Sequence, residues 1–406
     1  MLNMFRKKNT AGNAGQGMGS PKTAPDTLSG RILEVFTGSD ALVSVAVVVL
    51  GFLVATFILF VIGRNPGGMY QSILQVVTGF DMRRGTWNMR HVGEWLVVSS
   101  PLILCGLSMA FAARTGLFNI GIEGQYIMGL TAAQIIALSF PAIPVLHVSV
   151  AVMGAILAGA AWGGIVGFFK ARYRVSEVVA TIMMNFIALF FHRIVTLRLP
   201  GALPHRTPDF PETASLASPF LSSITNGSRL NYSLWLTLAA VVIYWLIMGR
   251  TRLGYALRAT GLNREAAHYG GINVKASITA AMAIAGGFAG LAGATVSLGV
   301  FPFGRILPAF EGYGFEGIAV ALVGNSTAWG TALAGLLFGM LRSAQPMMQL
   351  HHQIPREITS IIVGLVVIFI SLRAGLRLLI DWRMKEKAKR SHERESLGEN
   401  GVEEDA

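Results

Sequence analysis

The chain has 406 residues, 53% hydrophobic and 13% charged, with a formal net charge of +12, where an ordinary soluble domain carries roughly 25% charged residues. That balance excludes a water-soluble globular protein: apolar blocks recur from residue 41 to residue 372 without a long polar interruption, so lipid must be the solvent. The positive charge does not point to nucleic acid, because the basic residues sit in short clusters between apolar blocks.

Residues 1–40 are rich in Gly, Ser, Pro, Asn and Lys, lack a hydrophobic run and read as a flexible tail. Residues 41–62 then run for 22 residues without a charge, longer than the roughly 7 to 15 of a signal-peptide core, and read as an uncleaved anchor. A helix needs roughly 20 apolar residues to cross the hydrocarbon core. On that measure further spans are predicted at 95–113, 122–140, 144–169, 178–199, 232–248, 276–300 and 358–372. Residues 70–80 alternate polar and apolar side chains in the manner of a helix lying on the membrane surface. Cys105, inside the second span, is the only cysteine, which rules out an intrachain disulfide and a cysteine-based metal cluster.

His192 and Arg193 fall at the outer end of their span, where a long basic side chain snorkels to water. The Pro spacing of 200–230 forbids a long helix and predicts an external loop. Residues 249–275 carry five basic residues and are long enough for two short helices on the cytoplasmic side. An apolar stretch at 315–342 is interrupted at Gly324-Asn325-Ser326-Thr327. The basic N-terminus and the charged tail 373–406 should both be cytoplasmic by the positive-inside rule. Two cytoplasmic ends require an even number of spans, so this stretch is split and the count becomes ten.

Small residues recur four apart at Gly159, Gly163 and Gly167, at Gly286 and Gly290, and at Gly335 and Gly339. That spacing lets helix backbones approach closely in lipid. No phosphate-binding or zinc-binding motif occurs, so energy must come from a partner protein or an ion gradient. All six aspartates lie outside the spans or at an edge, and only Glu123 with Glu177 offers an ionisable pair for an ion-coupled secondary transporter, the alternative reading.

The spans offer amides, hydroxyls and aromatics without clustered charge, which suits a neutral solute. Asn119, Glu123 and Tyr126 fall at i, i+4 and i+7, as Glu177, Thr181 and Asn185 do at i, i+4 and i+8, and both sets are candidates for the path. Hydrogen bonding between helices is the plainer use of the same groups. Gly116, Gly121 and Gly124 give the backbone freedom to break the helix beside Asn119. In 249–275, Glu265, Ala266, Ala267 and Gly271 make the pattern E-A-A-x-x-x-G, a short small-residue helix ending at a glycine.

Four segments together resemble the permease subunits of bacterial ABC importers for simple sugars, nucleosides and branched-chain amino acids: G-L-F-N-I-G-I-E-G-Q from Gly116, S-E-V-V-A-T-I-M-M-N from Ser176, L-R-A-T-G-L-N-R-E-A-A-H-Y-G-G from Leu257, and F-E-G-I-A-V-A-L-V-G from Phe315. The resemblance covers about 41–372. It implies an all-helical polytopic fold of the larger importer type, with Glu265 to Gly271 docking on a separate ATPase. It further implies a second permease chain, ATP and magnesium held by the ATPases rather than by this chain, an external solute-binding lipoprotein, and location in the bacterial plasma membrane. The first two segments most resemble importers of nucleosides and simple sugars, which makes this chain a transport subunit and not an enzyme, working by alternating access.

Overall fold

The computed structural model describes residues 40–368 apart from 83, 141–142, 144, 356, 359, 362–363 and 366–367. Residue contacts divide the chain into Met1–Ala46 and Val47–Ala406. Of the first unit only the opening turns of a helix are described, and the fold below is that of the second. The predicted tails lie outside the described residues, as does most of the predicted span 358–372.

Helix α1 covers Asp40–Val61 and α2 covers Pro66–Thr78. The start of α2 is fixed locally: the Asn65 side chain accepts from the Gly67 N–H, Pro66 fills the first helical position, and Gly79 ends the helix in a left-handed conformation. Its sequence suggests a helix on the membrane surface, but Met69 and Val76 are buried against the helix that ends at His352. Tyr70, Leu74 and Val77 of the same helix stay exposed. A short hairpin, β1 (Phe80–Asp81) with β2 (Thr86–Trp87), leads to α3, Arg90–Arg114.

The bundle continues with α4 (Ile122–Ser139), α5 (Leu146–Tyr173) and α6 (Glu177–Leu197). Residues 198–232 hold only β3 (Arg206–Asp209), a single 3₁₀ turn and the six-residue α7 (Pro219–Ile224), because prolines remove donors throughout. Then come α8 (Ser233–Arg250), α9 (Arg252–Leu262), α10 (Arg264–Tyr269), α11 (Val274–Val300) and β4 (Phe303–Arg305), which pairs antiparallel with β3. The apolar stretch at 315–342 is two helices, α12 (Tyr313–Val323) and α13 (Ala328–His352), joined by a turn in which Asn325 and Ser326 take positive φ. The interruption read from the sequence is therefore a reversal of direction, and α12 reaches only half of the length a span needs.

Five described helices are long and apolar enough to cross a bilayer: α3, α5, α6, α8 and α11. Of these, α3 and α11 are buried along most of their length, whereas α5, α6 and α8 bury one side. The predicted spans at α4 and α13 are helical as well, but their polar side chains take them out of that set.

Lipid tails are as apolar as Leu, so helices in a bilayer are held mainly by close packing and internal hydrogen bonds. The glycines four apart supply this. A Cβ on Gly159, Gly286 or Gly290 would fall on backbone atoms across the α5–α11 seam, one on Gly129 or Gly293 on backbone across the α4–α11 seam, and one on Gly335 or Gly339 on Ile103 or Ser99 of α3. Cys105 is buried in the same core, with Gly317 of α12 resting on it.

Candidate functional site

Between α3 and α4 the backbone leaves the helix from residue 115 to residue 121. Non-helical backbone in apolar surroundings needs every polar group matched, and two asparagines do this. The Asn119 carboxamide oxygen accepts from the Gly121 N–H at 3.0 Å, and its amide donates to Gln125 at 3.0 Å. From α6, the Asn185 oxygen accepts from the Gly124 N–H at 2.8 Å while its amide donates to the Ile120 carbonyl at 3.0 Å. Thr181, beside Gly121, donates to the Val178 carbonyl of its own helix. The spacing argument that put Asn119 on one helical face with Glu123 and Tyr126 is corrected here: α4 begins only at Ile122, and Asn119 belongs to the loop.

Glu123 is fully buried, and its carboxylate accepts three backbone N–H groups, from Glu311 at 2.9 Å, Gly312 at 2.8 Å and Gly314 at 2.6 Å. These donors are the start of α12. The residue at the cap position, Gly312, has a positive φ and no side chain to offer, so a carboxylate from another helix meets the orphan donors and the positive end of the helix dipole. Gly314 has to be small, because a Cβ there would fall on the Glu123 backbone. Glu177 is held differently, by Lys170 at 2.5 Å. The two glutamates thus have separate partners.

Sequence reasoning passed over the segment 301–312, which runs from β4 to α12. Glu311 is paired in bidentate fashion with Arg305 and accepts from the Tyr126 hydroxyl at 2.6 Å. A second pair, Arg342 with Glu316 at 2.9 Å, lies beside it, and Arg342 also donates to the Glu311 carbonyl at 3.2 Å and covers the Tyr313 ring at 4.1 Å. The expectation of no clustered charge needs correcting, although two cations meet two anions and the net charge is zero. The available signal was the alternation of Arg and Glu with Gly and Pro between two apolar blocks.

His192 does not snorkel. It is buried, its Nε2 accepts from the Leu307 N–H at 3.1 Å, and its Nδ1 therefore carries the proton toward Thr131 Oγ1 at 2.8 Å. It ties 301–312 to α4 and α6, while Arg193 is exposed.

At the Arg114 end of α3 lie α9 and α10. Asn263 caps α10 by accepting from the Glu265 and Ala266 N–H groups, both at 3.0 Å. At the other end Gly271 takes φ +80°, with Gly271 N–H on the His268 carbonyl and Ile272 N–H on the Ala267 carbonyl, the two bonds of a Schellman stop. Ala267 is buried, Glu265, Ala266 and Gly271 are exposed, and Leu262 and Tyr269 stand 89% and 90% exposed. Next to α10 a cleft of about 1130 Å³ is lined by Lys170, Arg174, Arg264, His268 and Lys275.

The elbow between α9 and α10 touches the broken loop directly. A Cβ on Gly261 would fall on the Arg114 carbonyl, Gly116 takes φ +71° against Gly261, and Arg264 donates to the Gly116 carbonyl at 3.2 Å. Arg114 in turn donates to the Ser326 carbonyl at 2.9 Å, which also accepts from the Tyr244 hydroxyl at 2.8 Å. The α9–α10 elbow, the loop before α4 and, through Glu123, the start of α12 are thus joined by a continuous set of contacts.

The family model for the branched-chain amino acid transport system permease component matches residues 92–371. The chain is 38% identical over 349 residues to the guanosine ABC transporter permease protein NupP of Bacillus subtilis (strain 168), covering 86% of this chain and 98% of that one. It is 34% identical over 346 residues to the nucleoside ABC transporter permease protein NupB of Lactococcus lactis subsp. cremoris (strain MG1363), covering 84% and 93%. The glucose ABC transporter permease protein TsgB13 of Haloferax volcanii is 32% identical over 291 residues, covering 68% and 75%.

Proposed function

The chain belongs to the branched-chain amino acid transport system permease family, as a membrane-spanning subunit of an ABC importer, and we propose that its cargo is a nucleoside. The observation that carries this is the near full-length identity to the guanosine and nucleoside permeases, higher than that to the glucose permease. The two ion pairs beside α12 cancel, which fits a solute without net charge. The two glutamates that the sequence offered for ion coupling are held apart, since Glu123 caps α12 and Glu177 binds Lys170.

The importer comprises two permease chains, two ATPases that hold ATP and magnesium, and an external solute-binding lipoprotein in the bacterial plasma membrane. This chain crosses ten times with both termini and 249–275 in the cytoplasm. The ATPase seats on α10, where Glu265, Ala266 and Gly271 are exposed beside the bare Leu262 and Tyr269 and Ala267 packs beneath. When ATP draws the ATPases together, α10 moves, the loop at Gly116 follows, and the starts of α4 and α12 shift between outward-open and inward-open arrangements. Asn119, Asn185 and Glu123 act as the bearings of that shift, while Tyr126 and Thr181, which the sequence offered for the path, are buried within the bundle with their hydroxyls on Glu311 and the Val178 carbonyl.

The test is uptake of labelled guanosine, uridine, ribose and glucose by cells whose own systems are deleted, carrying the complete importer with or without this chain. Nucleoside uptake that requires the chain is the expected result. Uptake of the free sugars alone would replace the nucleoside with a sugar.

A further inference from the structure

Three phenylalanines meet where α6, the extended segment before α12 and α12 itself converge. Phe186 lies against Phe310 with ring centroids 5.2 Å apart at 68°, and Phe310 against Phe315 at 5.8 Å and 88°. The outer rings are bare in the single chain, Phe186 46% and Phe315 41% exposed. Lipid alone would account for such rings, but not for what stands next to them. The Arg342–Glu316 pair, one residue along α12 from Phe315, keeps 26% and 33% of its side-chain surface open. It lies well inside the bundle, since Gly317 rests on Cys105 within the 25-residue α3. Charges left a quarter to a third open at that depth are costly against hydrocarbon and are placed on water-filled cavities or protein interfaces. A face of this kind suits a water-filled path or a protein contact better than it suits lipid.

We propose that Phe186, Phe310 and Phe315 form the surface on which the base of the nucleoside stacks during passage, with the Arg342–Glu316 pair meeting its polar edge. The inference rests on the nucleoside reading above. A flat base fits an aromatic wall because every base has a π-face, so stacking holds purines and pyrimidines alike. Beside it, Glu316 accepts from base N–H groups or ribose hydroxyls and Arg342 donates to carbonyl oxygens. The T-shaped contacts keep the rings upright without covering them.

The assembled importer, with its ATPases and binding protein, is to be photolabelled with an 8-azido purine nucleoside and the labelled peptides mapped. Label on 310–316 or around Phe186, removed by excess guanosine, is the expected result. Protected label confined to other segments overturns the proposal. In parallel, nucleoside uptake is measured per assembled complex for Phe315→Leu, Phe186→Leu and Phe315→Trp. The Leu variants should raise the half-saturating concentration or lower the label about tenfold, within the roughly five- to hundredfold that a base-stacking ring is worth, and Phe315→Trp should stay near wild type. Leu variants that match wild type, or a Trp variant that fails as Leu does, reduce the rings to packing and overturn the proposal. Both results leave nucleoside transport standing, whereas an intact importer that takes up no nucleoside removes that reading and the stacking surface together.

Discussion

A carboxylate in apolar surroundings survives only where donors meet its charge, and at Glu123 three backbone N–H groups do so. Glu123→Gln keeps the size but turns an amide N–H₂ toward one of those donors. An unmet buried donor costs about 1–3 kcal/mol, so the variant should unfold a few degrees below wild type in detergent and transport poorly. Equal melting and uptake would mean that α12 does not depend on this cap. Gly271 poses the opposite case. A Cβ there would meet nothing within 4 Å, yet its φ of +80° is strained for any side chain. Gly271→Val should cost about 1–3 kcal/mol, confined to the end of α10, leaving membrane insertion intact while ATPase co-purification and uptake fall. A variant retaining both would take the Schellman stop out of the coupling. The cap and the stop differ in legibility: E-A-A-x-x-x-G could be read in one dimension because all of its bonds are local, whereas Glu123 finds its donors some 190 residues away.

Helix pairs in this bundle are set by where glycine allows contact. On α11 a Cβ at Gly290 would fall on the Ala155 carbonyl, but one at Gly287 would meet Ile156 and Ala160 only at 3.4 Å or more, in ordinary van der Waals contact. Gly290→Leu should therefore open the α5–α11 seam at a cost of about 3 kcal/mol or more. Gly287→Ala should be neutral or mildly stabilising, since it also removes the penalty of roughly 1 kcal/mol that glycine carries in a helix. Thermal unfolding of the two purified variants checks the contrast, and equal effects would show that the seam is not glycine-limited. The pairing of α2 with α13 also belongs to this scale, since the alternation of polar and apolar residues on α2 does not say which element Met69 and Val76 meet.

For the whole molecule, the proposed topology places 206–209 outside and α10 in the cytoplasm. In a Cys105→Ala background, Asp209→Cys should react with an impermeant thiol reagent on intact cells, and His268→Cys should react only after the membrane is opened. The reverse pattern would invert every span. Both positions are exposed, so access and not burial decides the labelling.

The sequence by itself determined that this chain is a membrane bundle, where most of its helices lie, that the chain reverses at Gly324 to Thr327, that a helix breaks beside Asn119, and which short loop carries the family's coupling pattern. Each of these is written locally, in runs of about 20 apolar residues, in glycines, and in residues three or four apart. Only the tertiary structure decided that Asn119 and Asn185 match backbone groups in place of facing a path, that His192 is a buried strut, and that Arg305, Glu311, Glu316 and Arg342 form two pairs beside an aromatic wall. The physical reason is distance along the chain. A polar side chain inside a membrane must find a partner, and the partner that it finds is set by which helices the glycine seams bring together, not by its neighbours in sequence.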